Sequence, residues 1–345
     1  MLMVLRITRP DDWHVHLRDG EAMRSVVGAT ARVFARAVVM PNLGSPVTTV
    51  DGASAYRERI AAALPAKSRF APLMTLYLTD NMAAAEIVRA RKSGFIVGVK
   101  YYPAGATTNS DSGVTRLERV HAQLAAMEEV GMPLLVHGEV TDPDIDVFDR
   151  ERYFIDRVMT RILRDFPGLI VVFEHITTRE AAEFVADSPA RVGATITPHH
   201  LLWSRNAMLA GAIRPHYYCL PILKREAHRA ALVRAATSGN PKYFLGSDSA
   251  PHAKAAKENA CGAGGCYSAH ATMELYAEAF DAAGALDRLE AFASYHGADF
   301  YGLPRNTDTI TLERSPWTVP ATYPLGEDAI VPLRAGERIA WRVVE

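Results

Sequence analysis

Short apolar segments alternate with amphipathic helical segments along the chain, and this alternation restricts the fold more than any other feature. An apolar segment around His14 comes first, and seven more follow it, at 36–40, 73–78, 95–102, 133–137, 169–175, 192–197 and 243–249. Continuously apolar strands that are joined by helices indicate a buried parallel sheet. Eight such strands predict a (β/α)8 barrel.

The segments between the predicted strands have helical periodicity; examples are 50–64, 81–94, 113–131 and 178–188. An open doubly wound sheet would show the same alternation, but it normally carries a glycine-rich phosphate-binding turn after its first strand, and none is present. We therefore expect one α/β barrel domain over residues 1–345. Residues from about 305 to 345 are richer in proline and short β-like pieces, and we expect them to pack on the barrel as an extension.

Composition excludes several classes of function. Hydrophobic residues make up 49% of the 345 residues, and the net charge is −1, so there is no electrostatic case for nucleic acid binding. No apolar run approaches the ~20 residues of a membrane span, and arginines and aspartates interrupt the first residues before a signal-peptide core can form. We expect a cytoplasmic enzyme or binding protein.

The three cysteines, Cys219, Cys261 and Cys266, are too few for a disulfide framework, and reduced thiols are expected. The motif CGAGGC could suggest half of a zinc knuckle. No second Cys/His pair stands at a suitable spacing, which favours a glycine loop.

The stretch DDWHVHLRDG places His14, His16 and Arg18 at alternate positions. In an extended chain all three would point to one face. An isolated His-x-His pair is common on half-exposed strands, so its meaning depends on what the other strands supply.

The carboxyl ends of the other predicted strands also carry polar groups. Active sites of barrels are built at this end, where the strands converge. Four histidines and one aspartate in an apolar neighbourhood would cost about 1 to 3 kcal/mol for each unpaired group, and a divalent cation would satisfy them together. Imidazole and carboxylate ligands favour zinc or another first-row metal over calcium. The strand-end residues are His14, His16, Asn42, Lys100, His137, His175 and Asp248.

Lys100 is the unusual member, because an ammonium group would repel bound cations. Burial lowers the pKa of a lysine and leaves a neutral amine that can take up carbon dioxide as a carbamate. A carbamate is anionic and has two oxygens, so it could bridge two metals. A surface lysine paired with a carboxylate is the alternative, and the apolar and aromatic neighbours in GVKYYPAG make it the weaker one.

From residue 11 to about residue 300 the sequence resembles the dihydroorotases, specifically the shorter bacterial type, which are members of the amidohydrolase superfamily. The motifs that carry this resemblance are WHVHLRDG, MPNL, GVKYYPAGATTNSDSG, LLVHGEV, FEHITT, TPHHL, CLPILK and GSDSAPHAKAAKE. The family fold is the metal-dependent hydrolase barrel, and the family suggests a homodimer.

The resemblance implies a role for each strand-end residue. His14, His16 and Asp248 would bind one Zn2+, His137 and His175 would bind a second, and Lys100, as N6-carboxylysine, would bridge the two. The residues implied in holding the substrate are Arg18, Asn42 and His252 on its carboxylate, with the backbones of Leu220 and Gly264 on the pyrimidine ring. Thr107 and Thr108 would lie on a loop that closes over the substrate. Gly264 stands where the family would lead us to expect alanine, and a backbone contact tolerates that change.

The implied reaction is the reversible hydrolysis of (S)-dihydroorotate to N-carbamoyl-L-aspartate, a step of de novo UMP synthesis. Two metals would activate a bridging hydroxide and polarise the carbonyl, with Asp248 as general base and acid. Three alternatives stay open. They are another dinuclear cyclic-amide hydrolase of the hydantoinase or dihydropyrimidinase kind, a mononuclear deaminase, and a non-catalytic scaffold with the same fold.

Five further histidines are given no ligand role. His199 and His200, in TPHHL, are expected to pack or to support the ligands. His121, His228 and His270 are expected to be ordinary residues of helical segments.

Overall fold

The computed structural model describes residues 3–344 and contains an eight-stranded parallel barrel. Its strands follow one another around the barrel in chain order, so each is hydrogen-bonded to the next. They are β2 Asp12–Val15, β3 Arg36–Val39, β4 Ala71–Tyr77, β5 Ile96–Tyr101, β6 Leu134–Val136, β7 Val171–Phe173, β8 Val192–Ile196 and β9 Tyr243–Leu245. The eight predicted strands and the predicted barrel are confirmed.

Backbone contacts between the first and last barrel strands close the sheet. Val15 forms a parallel bridge with Ser249. The His16 N–H donates to the Ser249 carbonyl at 3.1 Å, and the Asp248 N–H donates to the His14 carbonyl at 2.8 Å. Closure therefore occurs at the positions where the sequence predicts metal ligands.

Helices cover the outside of the barrel. The helices are α1 Gly20–Val33, α2 Val50–Ala63, α3 Ala84–Ser93, α4 His121–Val130, α5 Arg150–Phe154, α6 Thr160–Asp165, α7 Arg179–Asp187, α8 Pro198–Leu202, α9 Asn206–Leu209, α10 Glu226–Thr237, α11 Lys254–Lys257, α12 Thr272–Ala282 and α13 His296–Phe300. A π-helical turn, Ile155–Met159, joins α5 to α6, and another, Ala291–Tyr295, precedes α13. Within the described residues no helix is long and apolar enough to cross a bilayer.

Side chains that alternate along the strands fill two separate cores. Inside the barrel, Trp13, Leu135, Val172 and Phe244 form one buried cluster, whereas their strand neighbours face the helices. Gly193 is needed in this interior, because a Cβ there would lie 2.9 Å from the Phe244 ring. Apolar side chains therefore fill the barrel interior below the carboxyl ends of the strands, and the polar groups lie above this apolar layer.

The two chain ends form a second sheet. Strand β1, Val4–Thr8, pairs antiparallel with β10, Thr309–Glu313, which pairs with β15, Arg342–Val344. The remaining short strands pair as β11 Trp317–Thr318 with β14 Arg338–Ile339, and as β12 Tyr323–Leu325 with β13 Asp328–Ile330. The β1 pairing was not predicted, because its partner is about 300 residues away along the chain.

Two local expectations were wrong. The extended chain was expected to continue to Arg18, but β2 ends at Val15 and Arg18 has a φ of 61°, in the left-handed region. His270 was placed on a helix, but it lies in a turn before α12 and is buried beside Tyr267 and Tyr323. His121 and His228 do lie on helices, α4 and α10.

Candidate metal centre and substrate site

Four histidines form a continuous row across the carboxyl end of the barrel. Ring centroids are separated by 5.4 Å for His16 and His14, by 4.9 Å for His14 and His175, and by 4.8 Å for His175 and His137. They come from strands β2, β6 and β7 or the residues just after them. Strands that are distant in sequence therefore supply neighbouring imidazoles.

Asp248 faces the first half of this row. Its Oδ1 lies 3.1 Å from His16 Nε2 and 3.4 Å from His14 Nε2. The ligand atoms of all three residues lie within 4.8 Å of one another, a spacing that one metal ion can bridge. Burial alone would raise the pKa of the Asp248 carboxyl, but the hydrogen bond from His16 and the nearby imidazoles hold that pKa below its usual value. Asp248 is therefore available as a carboxylate.

Lys100 is the last residue but one of β5, close enough to His137 and His175 for its charge to lower the pKa of both, and its side chain is completely buried. Its Nζ has no hydrogen-bond partner and lies 5.2 Å from the centroid of the Tyr102 ring. Burial lowers the pKa of this amine to about 8. A buried, unpartnered amine with a lowered pKa is the environment that the carbamate hypothesis requires.

The donor atoms fit a metal centre. His14 Nε2, His175 Nδ1 and Lys100 Nζ are all buried without hydrogen-bond partners. Leaving each of them so would cost about 1 to 3 kcal/mol. His137 uses Nε2 to contact Glu139, which leaves the lone pair of Nδ1 to coordinate a metal. Bound cations would satisfy these atoms together.

Backbone strain is concentrated at the same place. His175 has a φ of 38° and Asp248 a φ of 42°, although neither is glycine. Such conformations cost on the order of 1 to 3 kcal/mol each and persist where the surrounding structure enforces them. Here these backbone conformations place the His175 ring within the row of imidazoles and direct the Asp248 carboxylate toward that row.

Glutamates that the sequence analysis missed orient two of the imidazoles. Glu174 Oε2 lies 2.8 Å from His14 Nδ1 and also accepts a hydrogen bond of 2.6 Å from the Thr195 hydroxyl. Glu139 Oε2 lies 2.8 Å from His137 Nε2. A carboxylate on one ring nitrogen fixes the tautomer that presents the other nitrogen to a metal. Acidic residues next to strand-end histidines, in FEH and HGE, were the available signal.

Arg18 and His252 lie together at the rim. One terminal nitrogen of Arg18 is 2.9 Å from His252 Nε2, and its Nε donates to the Pro251 carbonyl at 2.9 Å. The two aspartates nearest to Arg18 in the sequence are paired elsewhere, since Asp19 pairs with Arg59 and Asp12 accepts hydrogen bonds from Ser247. Burial lowers the pKa of His252, so this imidazole is neutral beside the guanidinium.

Four of the remaining sequence-predicted residues, Asn42, Thr108, Gly264 and Leu220, form a connected group. Asn42 Nδ2 donates to the Thr108 carbonyl at 3.0 Å, and the Thr108 hydroxyl donates to the Gly264 carbonyl at 3.4 Å. A Cβ at Gly264 would lie 3.0 Å from the Leu220 side chain. Asn42 Oδ1 is buried and has no partner. Thr107 instead closes its own turn with Ser110.

The glycine loop after α11 is fastened by a buried lysine. Lys257 Nζ donates to the carbonyls of Tyr218, Ala263 and Gly265. Its three hydrogen bonds hold the loop beside Leu220. The loop carries no zinc-knuckle arrangement among the described residues, and Cys219, Cys261 and Cys266 are all free thiols.

The fold and the site define the class of protein. The model of the amidohydrolase family matches residues 11–321. The chain belongs to the amidohydrolase family.

Two relatives that match this chain at full length are dihydroorotases. A dihydroorotase of Ralstonia nicotianae is 66% identical over 344 residues, covering all of both chains, and a dihydroorotase of Nitrosococcus oceani is 62% identical over 345 residues. A solved dihydroorotase of Campylobacter jejuni superposes with a TM-score of 0.91 at 35% identity, over 100% of this chain and 98% of that one. An L-hydantoinase of Arthrobacter aurescens, covering 98% of this chain and 82% of its own, has a TM-score of 0.80 at 14% identity, so it shares the fold alone.

Proposed function

We propose that this enzyme interconverts (S)-dihydroorotate and N-carbamoyl-L-aspartate, the reaction that its full-length relatives' name denotes. The observation that carries the proposal is the meeting of His14, His16, His137, His175, Lys100 and Asp248 at one end of the barrel, with Arg18 and His252 at its rim. Dihydroorotate has a cyclic amide to cleave and a carboxylate to bind. The proposed site offers a group for each.

The proposed centre holds two Zn2+ ions. His14, His16 and Asp248 would hold one ion, His137 and His175 the other, and carboxylated Lys100 would bridge them. When bound, the ions would lower the pKa of water and polarise the amide carbonyl. The unpartnered nitrogens of His14, His175 and Lys100 support this assignment.

Asp248 is the proposed proton carrier. As a carboxylate it accepts a proton from the attacking water while the new carbon–oxygen bond forms. It then gives that proton to the ring nitrogen as the carbon–nitrogen bond breaks, which leaves a carboxylate on the former amide carbon and a free carbamoyl NH2 group. In the reverse direction the same group removes a proton from the carbamoyl nitrogen as that nitrogen attacks the carboxyl carbon, and it returns the proton to the departing oxygen, which leaves as water.

Arg18, His252 and Asn42 are proposed to hold the substrate carboxylate, and the backbones of Leu220 and Gly264 to contact the ring. Charge-assisted hydrogen bonds from a guanidinium favour a carboxylate over a neutral substituent. A Saccharomyces cerevisiae dihydroorotase, 32% identical to this chain, was solved in complex with 5-fluoroorotic acid. That ligand also combines a pyrimidine ring with a carboxylate, which supports a clamp of this kind.

The experiment that tests the proposal combines metal analysis with two assays. Purified enzyme should contain divalent metal, hydrolyse dihydroorotate and form dihydroorotate from N-carbamoyl-L-aspartate, and it should lose both activities on chelation. Hydrolysis of hydantoin at a comparable rate would favour the hydantoinase alternative. A metal-free protein that metal cannot activate would favour a scaffold.

The proposal includes a homodimer in the cytoplasm, an expectation that rests on the resemblance to the family. Light scattering of the purified protein tests the subunit number, and fractionation of the source cells tests the location.

A further inference from the structure

A second group of metal-ligating side chains lies in the loops after β8. His199, His200 and Cys219 are almost completely buried, and one ligand atom from each lies within 4.8 Å of the other two. The group shares no residue with His14, His16 and Asp248. The proposed reaction does not use it.

The surroundings of His199 indicate that this cluster of side chains lacks a ligand. It is buried, and neither of its ring nitrogens has a hydrogen-bond partner. A neutral imidazole carries one N–H and one lone pair, so both go unsatisfied here. A cation bound at the lone pair would remove part of this cost, and a metal is what the adjacent thiol and imidazole favour.

The distances around Cys219 fit a small tetrahedral ion. Cys219 Sγ is 4.0 Å from His200 Nε2 and 3.2 Å from the Pro221 carbonyl oxygen, and these last two atoms are 3.1 Å apart. Ligands of tetrahedral zinc, with bonds of about 2.0 to 2.3 Å, lie about 3.3 to 3.6 Å from one another. Shifts of about half an ångström would therefore complete the geometry.

We propose that His199, His200 and Cys219, with the Pro221 carbonyl as fourth ligand, form a binding site for one thiophilic metal ion such as Zn2+ or Cd2+. Binding releases the Cys219 thiol proton to solvent and replaces the contact between His200 and Pro221 with two metal bonds. Thr197 Oγ1, 2.7 Å from His200 Nδ1, then accepts the remaining N–H of that ring. This hydrogen bond presents Nε2 to the ion.

The charges around the group are mixed. The cations of Lys224 and Lys257 oppose a divalent ion, since both disfavour protonation of these imidazoles. The nearby Asp248 carboxylate attracts it. The contact with Cys266 and burial raise the pKa of the Cys219 thiol, so the ion must displace the thiol proton in order to bind. This balance indicates a site that is weaker than the main centre and that fills when metal is in excess.

Occupancy would reach the substrate through Leu220. Cys219 and Pro221, two proposed ligands, flank this residue, whose backbone is assigned to the pyrimidine ring. Only this consequence rests on the proposed function. If both assignments hold, filling the site raises KM for dihydroorotate, whereas the binding itself needs no activity.

The test is a Cd2+ titration of zinc-loaded enzyme that carries Cys261→Ser, which removes the exposed thiol. One equivalent should bind and produce a thiolate-to-cadmium charge-transfer band in the near ultraviolet, because the main centre has no thiolate. Cys219→Ser should abolish the band and that equivalent. Cys266→Ser, the matched control at a buried neighbouring cysteine, should keep both.

His199→Gln supplies a second variant that keeps the thiol. It should weaken Cd2+ binding by more than about tenfold. Loss of a residue that only hydrogen-bonds to a metal ligand already lowers metal affinity by about that factor, and His199 is proposed as a ligand itself. The proposal is overturned by the absence of a band, by a band that disappears with Cys266→Ser, or by Cd2+ affinity that His199→Gln does not change. A cadmium band in an enzyme that, before cadmium is added, does not hydrolyse dihydroorotate would count against the proposed function alone.

Discussion

At the residue scale, Lys100 presents the sharpest chemical question, because a buried amine stands among groups that are proposed to bind cations. Lys100→Ala should abolish activity, and a short carboxylic acid added to the variant should restore part of it by replacing the carbamate. Metal content with and without the acid gives a second readout. Full activity of Lys100→Ala without any added acid would remove the bridging role.

The pKa of Lys100 predicts how carboxylation depends on pH. Only the neutral amine attacks carbon dioxide, and burial lowers the pKa of this amine to about 8. At a fixed concentration of dissolved carbon dioxide, metal-free enzyme should therefore be carboxylated faster as the pH rises, with the rate levelling off above about 8. Carbon-13 NMR of the carbamate signal measures this rate, with Lys100→Ala as the control. A rate that falls with rising pH would contradict the assignment.

Asp248 and Arg18 should affect different kinetic constants. Asp248→Asn should lower kcat steeply even with metal bound, because an amide cannot accept the proton. Arg18→Met should mainly raise KM, and a lost charge-assisted contact predicts a decrease of roughly ten- to a hundredfold in kcat/KM. Steady-state kinetics at matched metal content separates the two. A metal-loaded Asp248→Asn enzyme with near-normal kcat would eliminate Asp248 as the base.

The site residues that could be predicted from the sequence lie at the ends of apolar strands, whereas the missed features depend on side-chain contacts and backbone angles that the strand pattern does not encode. Barrel geometry predicted the convergence of these residues, because each lies near or just beyond the carboxyl end of a recognisable apolar strand; they are His14, His16, Lys100, His137, His175 and Asp248. Glu174 and Glu139 were missed, although each stands beside one of these histidines, because only the closed barrel shows which ring each carboxylate contacts. The left-handed φ of Arg18 could not be predicted either, since nothing in the local sequence requires that backbone conformation.

At the scale of elements, the loop after β5 is the segment proposed to close over substrate. Its Ala106 and Ser110 are buried, and Asn109 donates to the Asn42 carbonyl at 3.0 Å, so the loop lies on the site in this conformation. Its small polar composition, expected from PAGATTNSDSG, leaves little apolar surface to hold it there. Opening of this loop stays a prediction.

The two threonines of that loop allow a matched comparison. The Thr108 hydroxyl donates to the Gly264 carbonyl, whereas the contacts of Thr107 with Ser110 run through the Thr107 backbone and would survive loss of its side chain. Thr108→Ala should therefore reduce kcat/KM more than Thr107→Ala does, and the double variant should be the most impaired. Unchanged kinetics in the double variant, together with identical loop order in free and substrate-bound crystals, would exclude a lid.

At the scale of the whole molecule, the terminal sheet connects the two ends of the chain. Alternating apolar strands made the barrel predictable, but β1 and β10 are short and pair across most of the sequence, a register that no local pattern specifies. Leu312 in β10 is completely buried in the main core, and the Trp341 indole nitrogen lies 3.2 Å from Asp281 of α12. The sheet thus packs on the barrel through buried side chains.

This packing predicts a stability effect that is separate from catalysis. Leu312→Ala should lower the free energy of unfolding by about 2 to 5 kcal/mol, the usual cost of such a cavity, and leave KM unchanged. Thr309→Ala, on the exposed end of the same strand, is the control and should have a much smaller effect. Denaturant midpoints and steady-state kinetics on both variants check the prediction. An unchanged midpoint for Leu312→Ala would show that the extension contributes little to stability.

The central claim is that this metal-dependent barrel acts on a cyclic amide that carries a carboxylate. Dihydrouracil has the same ring as dihydroorotate without the carboxylate, so the ratio of their kcat/KM values measures that claim directly. The native enzyme should strongly prefer dihydroorotate, and Arg18→Met should reduce the preference by roughly ten- to a hundredfold. Comparable hydrolysis of the two rings by native enzyme, or a preference that Arg18→Met leaves intact, would contradict the account.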